Sequence, residues 1–196
     1  MSHPIHQVCV YCASSALTPQ KYLEATDLLA KALVAAKINV VFGGGSTGLM
    51  GRLADTVLAL GGSITGIMPQ FMKEVEWAHT QVDQMHLVAD MHERKKKFLE
   101  GTDALIALPG GTGTLEELVE AITLKKLGFY PHPIIIFNLE GFYDPLLLLF
   151  QRMTEEKFMS PGHQQLYTVV TEAADILPAI FRTPLWEEPI SQARVK

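Results

Sequence analysis

Two charged residues stand where their types and spacing suit chemistry: Glu117, beyond a glycine-rich turn, and Arg94, inside a basic run. Glu117 ends the stretch Pro109-Gly110-Gly111-Thr112-Gly113-Thr114-Leu115-Glu116-Glu117. The apolar residues 104–108 ahead of it read as a buried strand that Pro109 stops, and a helix is expected to open on Thr114. Strand, glycine turn and helix in that order bring free backbone N–H groups and the positive end of a helix to one spot, which suits a phosphate. A cradle for phosphate alone has no use for a carboxylate in the first helical turn, so Glu117 points to a reaction on a phosphorylated ligand. The competing account makes Thr114-x-x-Glu117 a capping box, with Glu117 holding the helix start. On spacing alone the cap is the simpler account; the glycines crowded ahead of it are what a cap does not need.

Arg94 lies in Met91-His92-Glu93-Arg94-Lys95-Lys96-Lys97, after an Asp90 placed to cap a helix with Glu93 at the reciprocal position. Basic runs are usually solvated faces. Helical spacing, however, sets Arg94 and Lys95 on the stripe of Met91 and Phe98, with Lys96 and Lys97 falling outside. A basic pair on an apolar stripe points to an internal anion or carboxylate, and the arginine fork fits phosphate bidentately.

The elements that must position these groups alternate along the chain. Strands are expected at 8–13, 39–42, 63–68, 85–88, 104–108, 133–137 and 166–170, with helices between them. Thr18-Pro19 reads as N-cap and first residue of the first helix, and a second begins at Arg52. Residues 69–83 read as a loop carrying Glu76. A helix of 145–158, apolar nearly all round at Leu146 to Phe150, must be covered on more than one side. Several strands are apolar throughout, which implies a mostly parallel sheet with helices on both faces, and such sheets bind ligands at the carboxyl ends of their strands. Ser14-Ser15, the glycine loop 43–51, residues 90–95 and 109–117 all follow strands, so one rim gathers them. Ser14, Ser15, Gly44 and Gly45 are therefore read as ligand-binding positions.

Gly43 to Gly48 formally matches the dinucleotide fingerprint, but the next strand ends in Met-Pro-Gln where an acid should hold a ribose hydroxyl. That counts against a nicotinamide oxidoreductase. The loop is read as a second backbone cradle, with a turn for close helix–sheet packing as its equal alternative. In the helix from Thr114, Leu115, Leu118, Val119 and Ile122 are expected to face the sheet, with Ala121 and Leu124 on another side near Glu117. Two apolar sides suggest a subunit interface beside the site, or cover from the leucine-rich helix.

The chain has 196 residues, enough for one domain with a full core, and a formal net charge of −5, which argues against a general nucleic-acid binder. No apolar run approaches a membrane span, and the first residues lack the charged and apolar regions of a signal peptide, so a cytoplasmic protein is expected. Cys9 and Cys12 are spaced as a redox pair, but Cys9 sits inside a strand, where positions 9 and 12 face opposite ways. Two cysteines alone do not complete a zinc site, and no metal is expected.

The motifs Met91-His92-Glu93-Arg94-Lys95 and Pro109-Gly110-Gly111-Thr112-Gly113-Thr114-Leu115-Glu116-Glu117 together resemble the signature of the LONELY GUY (LOG) family. Its members are cytokinin riboside 5'-monophosphate phosphoribohydrolases, and relatives have often been labelled lysine decarboxylases. The likeness extends over roughly 8–181, including the Gly-Gly-Gly…Gly-Leu-Met-Gly loop. It implies a single Rossmann-like domain, working as a dimer with sites near the interface. By position it implies that Arg94 and Glu117 are catalytic. It places substrate at Glu76, Lys95, Gly110, Gly111, Thr112, Gly113, Thr114, Glu116 and Thr123. Thr112 departs from the tyrosine common in relatives, and Ala13 from a common glycine. The implied reaction is hydrolysis of the N-glycosidic bond of AMP or an N6-modified relative, without a cofactor. A non-catalytic nucleotide or molybdopterin carrier is the rival from another class. A pyridoxal decarboxylase would need a Schiff-base lysine context that the sequence does not display.

Overall fold

A computed structural model of the chain describes residues 4–74, 78–82 and 84–187. Its strands are β1 (Gln7–Tyr11), β2 (Asn39–Phe42), β3 (Ile64–Pro69), β4 (Gln84–Val88), β5 (Ala104–Ala107), β6 (Ile134–Phe137) and β7 (Thr168–Val170). They form one parallel sheet in the order β4-β3-β2-β1-β5-β6-β7. Helices α1 (Gln20–Ala35), α2 (Gly48–Ala59) and α6 (Ile176–Arg182) pack on one face through Leu29, Leu33, Leu53 and Ile180. Helices α3 (Met91–Leu99), α4 (Thr112–Lys126) and α5 (Asp144–Glu155) pack on the other through Phe98, Leu118, Ile122 and Phe150. Alternation along β1 feeds both layers: Val8 and Val10 join the first core, Cys9 and Tyr11 the second. Cys12 lies in the first, so the C-x-x-C pair is split between layers and both thiols are free and buried.

Strand order reverses between β1 and β5. The chain leaves β1 towards β2 on one side and β5 towards β6 on the other, and the diverging loops open a crevice at their carboxyl ends.

Several local expectations need correction. Thr18 does not cap α1; its hydroxyl donates to the Ser15 carbonyl at 2.7 Å, and Pro19 takes the cap position without a side-chain bond. Helix α2 starts at Gly48, four residues earlier than Arg52, because the amides of Leu49 and Met50 donate to the Ala13 carbonyl at 2.9 and 3.2 Å. Gly48 has φ +62°, and a Cβ there would stand 2.6 Å from the Ser14 carbonyl carbon. Only glycine allows that approach. Helix α5 is less covered than its composition suggests: Leu148 and Leu149 are 64% and 48% exposed, while Phe150 carries the packing. After α6 the Trp186 amide donates to the Pro131 carbonyl at 2.8 Å. Among the described residues no helix is long and apolar enough to cross a membrane, and no cluster of metal-ligating side chains occurs.

The last turn of α4 buries a full lysine. Lys125 is 1% exposed and its Nζ has no hydrogen-bond partner among the described residues. Burial pushes its ammonium down from the usual lysine range to about 8. An unfolded lysine keeps its proton to about 10.4, so between about 8 and about 10.4 the unfolded chain binds more protons and stability rises with pH. Lys125→Met is expected to flatten that rise in urea unfolding compared at about pH 7.5 and about pH 9.5.

Candidate active site

Helix α4 begins at Thr112 with Gly111 as its N-cap, and no side chain caps it. The first intrahelical bond runs from the Leu115 amide to the Gly111 carbonyl at 3.0 Å. The capping box therefore does not form. Thr114, the third helical residue, is buried on Gly110, where a Cβ would meet its Oγ1 at 2.2 Å. Glu117 is the sixth residue, in the second turn rather than the first.

The buried face only partly matches the expected stripe. Thr114, Leu118, Ala121, Ile122 and Lys125 are the buried set, whereas Leu115 and Val119 are each 38% exposed. Glu117 stands three residues after Thr114 and four before Ala121, hence on their face. Its side chain is only 12% exposed.

Arg94 meets it from α3. Asp90 caps that helix through the Glu93 amide at 2.8 Å, and Glu93 reaches back to the Ala89 amide, also at 2.8 Å, one residue earlier than a capping box requires. Arg94 is 5% exposed. Its Nε donates to the Ile67 carbonyl at 3.0 Å and Nη2 to the Gly43 carbonyl at 2.8 Å. The guanidinium lies 5.0 Å from the Phe98 ring centre. Nη1 lies 3.9 Å from the Met72 sulfur and 3.7 Å from Glu117 Oε1. Most of the fork is thus committed to backbone carbonyls at the ends of β3 and β2, and the rest faces the acid. A Cβ on Gly43 would come within 2.8 Å of Arg94 Nη2, so a larger residue there would displace the guanidinium.

These groups line a cavity of about 320 Å³ at the β1/β5 crevice. It brings together Ser14, Arg94, Gly111, Thr112, Gly113, Thr114, Glu116 and Glu117. The amides of Thr112, Gly113 and Thr114 belong to the first turn of α4 and precede any intrahelical acceptor. They give the mouth a positive edge. Below it, burial and then the Glu117 carboxylate push the Cys12 thiol up; burial, Cys9 and Glu117 do the same to the Tyr11 phenol.

Other expected positions lie outside this cavity. Ser15 is exposed, with its hydroxyl accepting from the Leu17 amide at 3.2 Å. In the second glycine loop, the Leu49 and Met50 amides at the start of α2 donate to the Ala13 carbonyl. Gly44 packs against Met85, and its carbonyl accepts from the His79 amide at 2.9 Å, while Gly45 bridges to Ala78. Gly110 lies beneath Thr114. Lys95 reaches Glu116 at 2.5 Å and Glu120 at 3.1 Å. Thr123 is exposed and bonds back to the Val119 carbonyl at 2.9 Å. Glu76 falls outside the described residues. Sequence reasoning missed the wall formed by Met50, Met72 and Met91. Methionines scattered over three elements carry no local signal, and only the fold gathers them.

Gly111 and Gly113 stand apart from the other glycines of the motif. A Cβ on either would meet no protein atom within 4 Å, so packing does not require glycine there. The open space faces the cavity mouth. Gly113→Ala should leave thermal stability equal or up to about 1 kcal/mol higher, as alanine favours a helix. It should raise the KM for a phosphorylated ligand by about tenfold, because a methyl would crowd the amides. Thermal unfolding and steady-state kinetics on one preparation separate the two effects.

A family model described as "Possible lysine decarboxylase" matches residues 50–180. The chain is 40% identical over 171 residues to a probable cytokinin riboside 5'-monophosphate phosphoribohydrolase, LOGL1, of Oryza sativa subsp. japonica, covering 87% of this chain and 77% of that one. It is 39% identical to the cytokinin riboside 5'-monophosphate phosphoribohydrolase LOG1 of Arabidopsis thaliana, covering 87% and 80%. Among solved structures, the molybdenum cofactor carrier protein of Chlamydomonas reinhardtii superposes with a TM-score of 0.68 at 19% identity, covering 90% of this chain and 96% of the other. The molybdenum cofactor binding protein of Rippkaea orientalis gives 0.65 at 16%, with coverage of 90% and 96%. At such identities the two structures share the fold alone. With its family model and its relatives in agreement, the chain belongs to the LONELY GUY family.

Proposed function

We propose that this chain hydrolyses the N-glycosidic bond of AMP or of an N6-modified, cytokinin-type riboside 5'-monophosphate, releasing the free base and ribose 5-phosphate. The observation that carries the reading is Glu117, an acid 12% exposed and 3.7 Å from Arg94, one turn inside a helix whose leading amides edge the same cavity. The 5'-phosphate binds at the amides of Thr112, Gly113 and Thr114. Cleavage passes through an oxocarbenium-like state, which the Glu117 carboxylate stabilises while it takes a proton from the attacking water. Arg94 acts through Glu117, holding its position and charge. The curated relatives named as phosphoribohydrolases support this substrate class, and the reaction requires no metal or redox cofactor.

The protein works in the cytoplasm as a homodimer. The exposed stripe Leu115–Val119, with Thr123 one turn further on, and Phe129, 69% exposed beside a groove of about 430 Å³ between α3 and α4, support pairing through this face. Such pairing brings Thr123 and Lys95 of one copy towards the other's cavity.

Chromatography after incubation with AMP and with N6-isopentenyl-AMP tests the reading. Free base with ribose 5-phosphate is expected from at least one. Adenosine in place of adenine would mean a phosphatase, and binding without base release a carrier.

A further inference from the structure

A second cavity, of about 760 Å³, opens at the sheet edge formed by β7. Its wall includes Lys125 from the last turn of α4, Gln164, Tyr167, Asp175, Arg182 and Trp186. The Lys125 side chain is 99% removed from solvent, and its Nζ has no hydrogen-bond partner among the described residues. Trp186 Nε1, in the same wall, is also a buried donor without an acceptor. Two orphaned donors in one cavity are unusual, since buried polar groups are almost always paired and a buried lysine nearly always has a counter-charge.

Packing alone does not explain the lysine. A methionine would fill the same volume without a charge to bury. The carbonyl end of α4 attracts a cation, but Lys126, half-buried beside it, can meet that attraction. Among the described residues Asp175 is the one carboxylate in the cavity wall, and Lys125 Nζ makes no bond to it. The cavity therefore offers a buried ammonium, an indole N–H and the exposed Arg182, with no anion among the described residues placed to accept from the ammonium.

We propose that this cavity is a second ligand site, distinct from the catalytic one, that takes a small organic oxyanion, either a carboxylate or a phosphate monoester. Its oxygens accept from Lys125 Nζ, with Trp186 Nε1 and Arg182 as further donors. The two sites sit at opposite halves of one helix: eight residues separate Glu117 from Lys125, roughly 12 Å along the axis.

Trp77 and Trp186 are the two tryptophans of the chain, so Trp77→Phe leaves Trp186 as a local reporter. Its fluorescence is titrated in the full chain with inorganic phosphate and separately with succinate. A saturable change is expected with one of them; the tighter probe identifies the site as one for phosphate esters or for carboxylates. Lys125→Met should weaken that binding by about tenfold or more, the loss of a charge-assisted hydrogen bond. Arg182→Gln, at an exposed side chain that leaves the core untouched, should weaken it by about threefold and serves if Lys125→Met does not fold. No saturable response to either anion, or an unchanged midpoint in both variants, overturns the proposal. Base release from AMP is read on the same preparations and should persist in Lys125→Met.

Discussion

Glu117→Gln is expected to keep its fold and lower base release by about a thousandfold, within the range that a positioned general base contributes. Glutamine matches the shape of glutamate, so the second turn of α4 and the cavity it lines should persist, and nucleotide should still bind at the leading amides of the helix. What disappears is the negative charge facing the developing oxocarbenium and the acceptor for the water proton. Arg94 then faces a neutral amide through Nη1 but keeps its bonds to Ile67 and Gly43, so the loss of stability should be modest. Glu117→Asp supplies the finer measurement. It retains the charge but withdraws it by one methylene, and a misplacement of about 1 Å is enough for a loss near a hundredfold. Single-turnover rates with saturating AMP, next to nucleotide binding by calorimetry, separate chemistry from affinity. Full base release in Glu117→Gln with intact binding would remove Glu117 from the mechanism.

The architecture was legible because each strand announces itself locally. Residues 104–107 and 134–137 are apolar throughout, as strands buried on both faces must be, and the structure pairs them as neighbours. The rim followed from the same fact, since every carboxyl end of a parallel sheet lies on one side. The phase of α4 was not legible. Thr114-x-x-Glu117 imitates a capping box, while the actual cap, Gly111, acts through its backbone and leaves no side-chain signature. Of the stripe expected to face the sheet, Leu118 and Ile122 are buried as expected, whereas Leu115 and Val119 are exposed because Thr114, Ala121 and Lys125 turn the buried face to one side. At the glycine loop 43–51 the sequence leaves a cradle and a close-packing turn as equals, and the contact at Gly48 is of the second kind. The Leu49 and Met50 amides donate to the Ala13 carbonyl, more than thirty positions earlier, and no local pattern reports such a partner. Arg94 lies on the expected stripe, and of the two partners its spacing left open, an anion or a carboxylate, the structure supplies the carboxylate of Glu117, while the Ile67 and Gly43 carbonyls take most of the fork.

That commitment makes Arg94 the most sensitive structural residue of the site. Arg94→Lys conserves charge but presents a single ammonium, which cannot serve the Ile67 carbonyl, the Gly43 carbonyl and Glu117 together. Each buried carbonyl left without a donor costs about 1–3 kcal/mol. Arg94→Lys is therefore expected to lose about 2–4 kcal/mol of stability in urea unfolding, and about a hundredfold in base release as Glu117 loses its fixed position. Arg94→Met goes further, leaving the Glu117 carboxylate 12% exposed without its facing cation. The decisive comparison is the double variant Arg94→Met/Glu117→Gln. Removing both charges also removes the carboxylate that lost its facing cation, so the double variant should be more stable than the sum of the single losses by about 1–2 kcal/mol. Base release should already be exhausted in either single variant and fall little further, the pattern of residues acting as a unit. Stability losses that add to within about 0.5 kcal/mol would show that the 3.7 Å approach carries no coupling. Arg94 would then be a strut between strand ends, with Glu117 working alone.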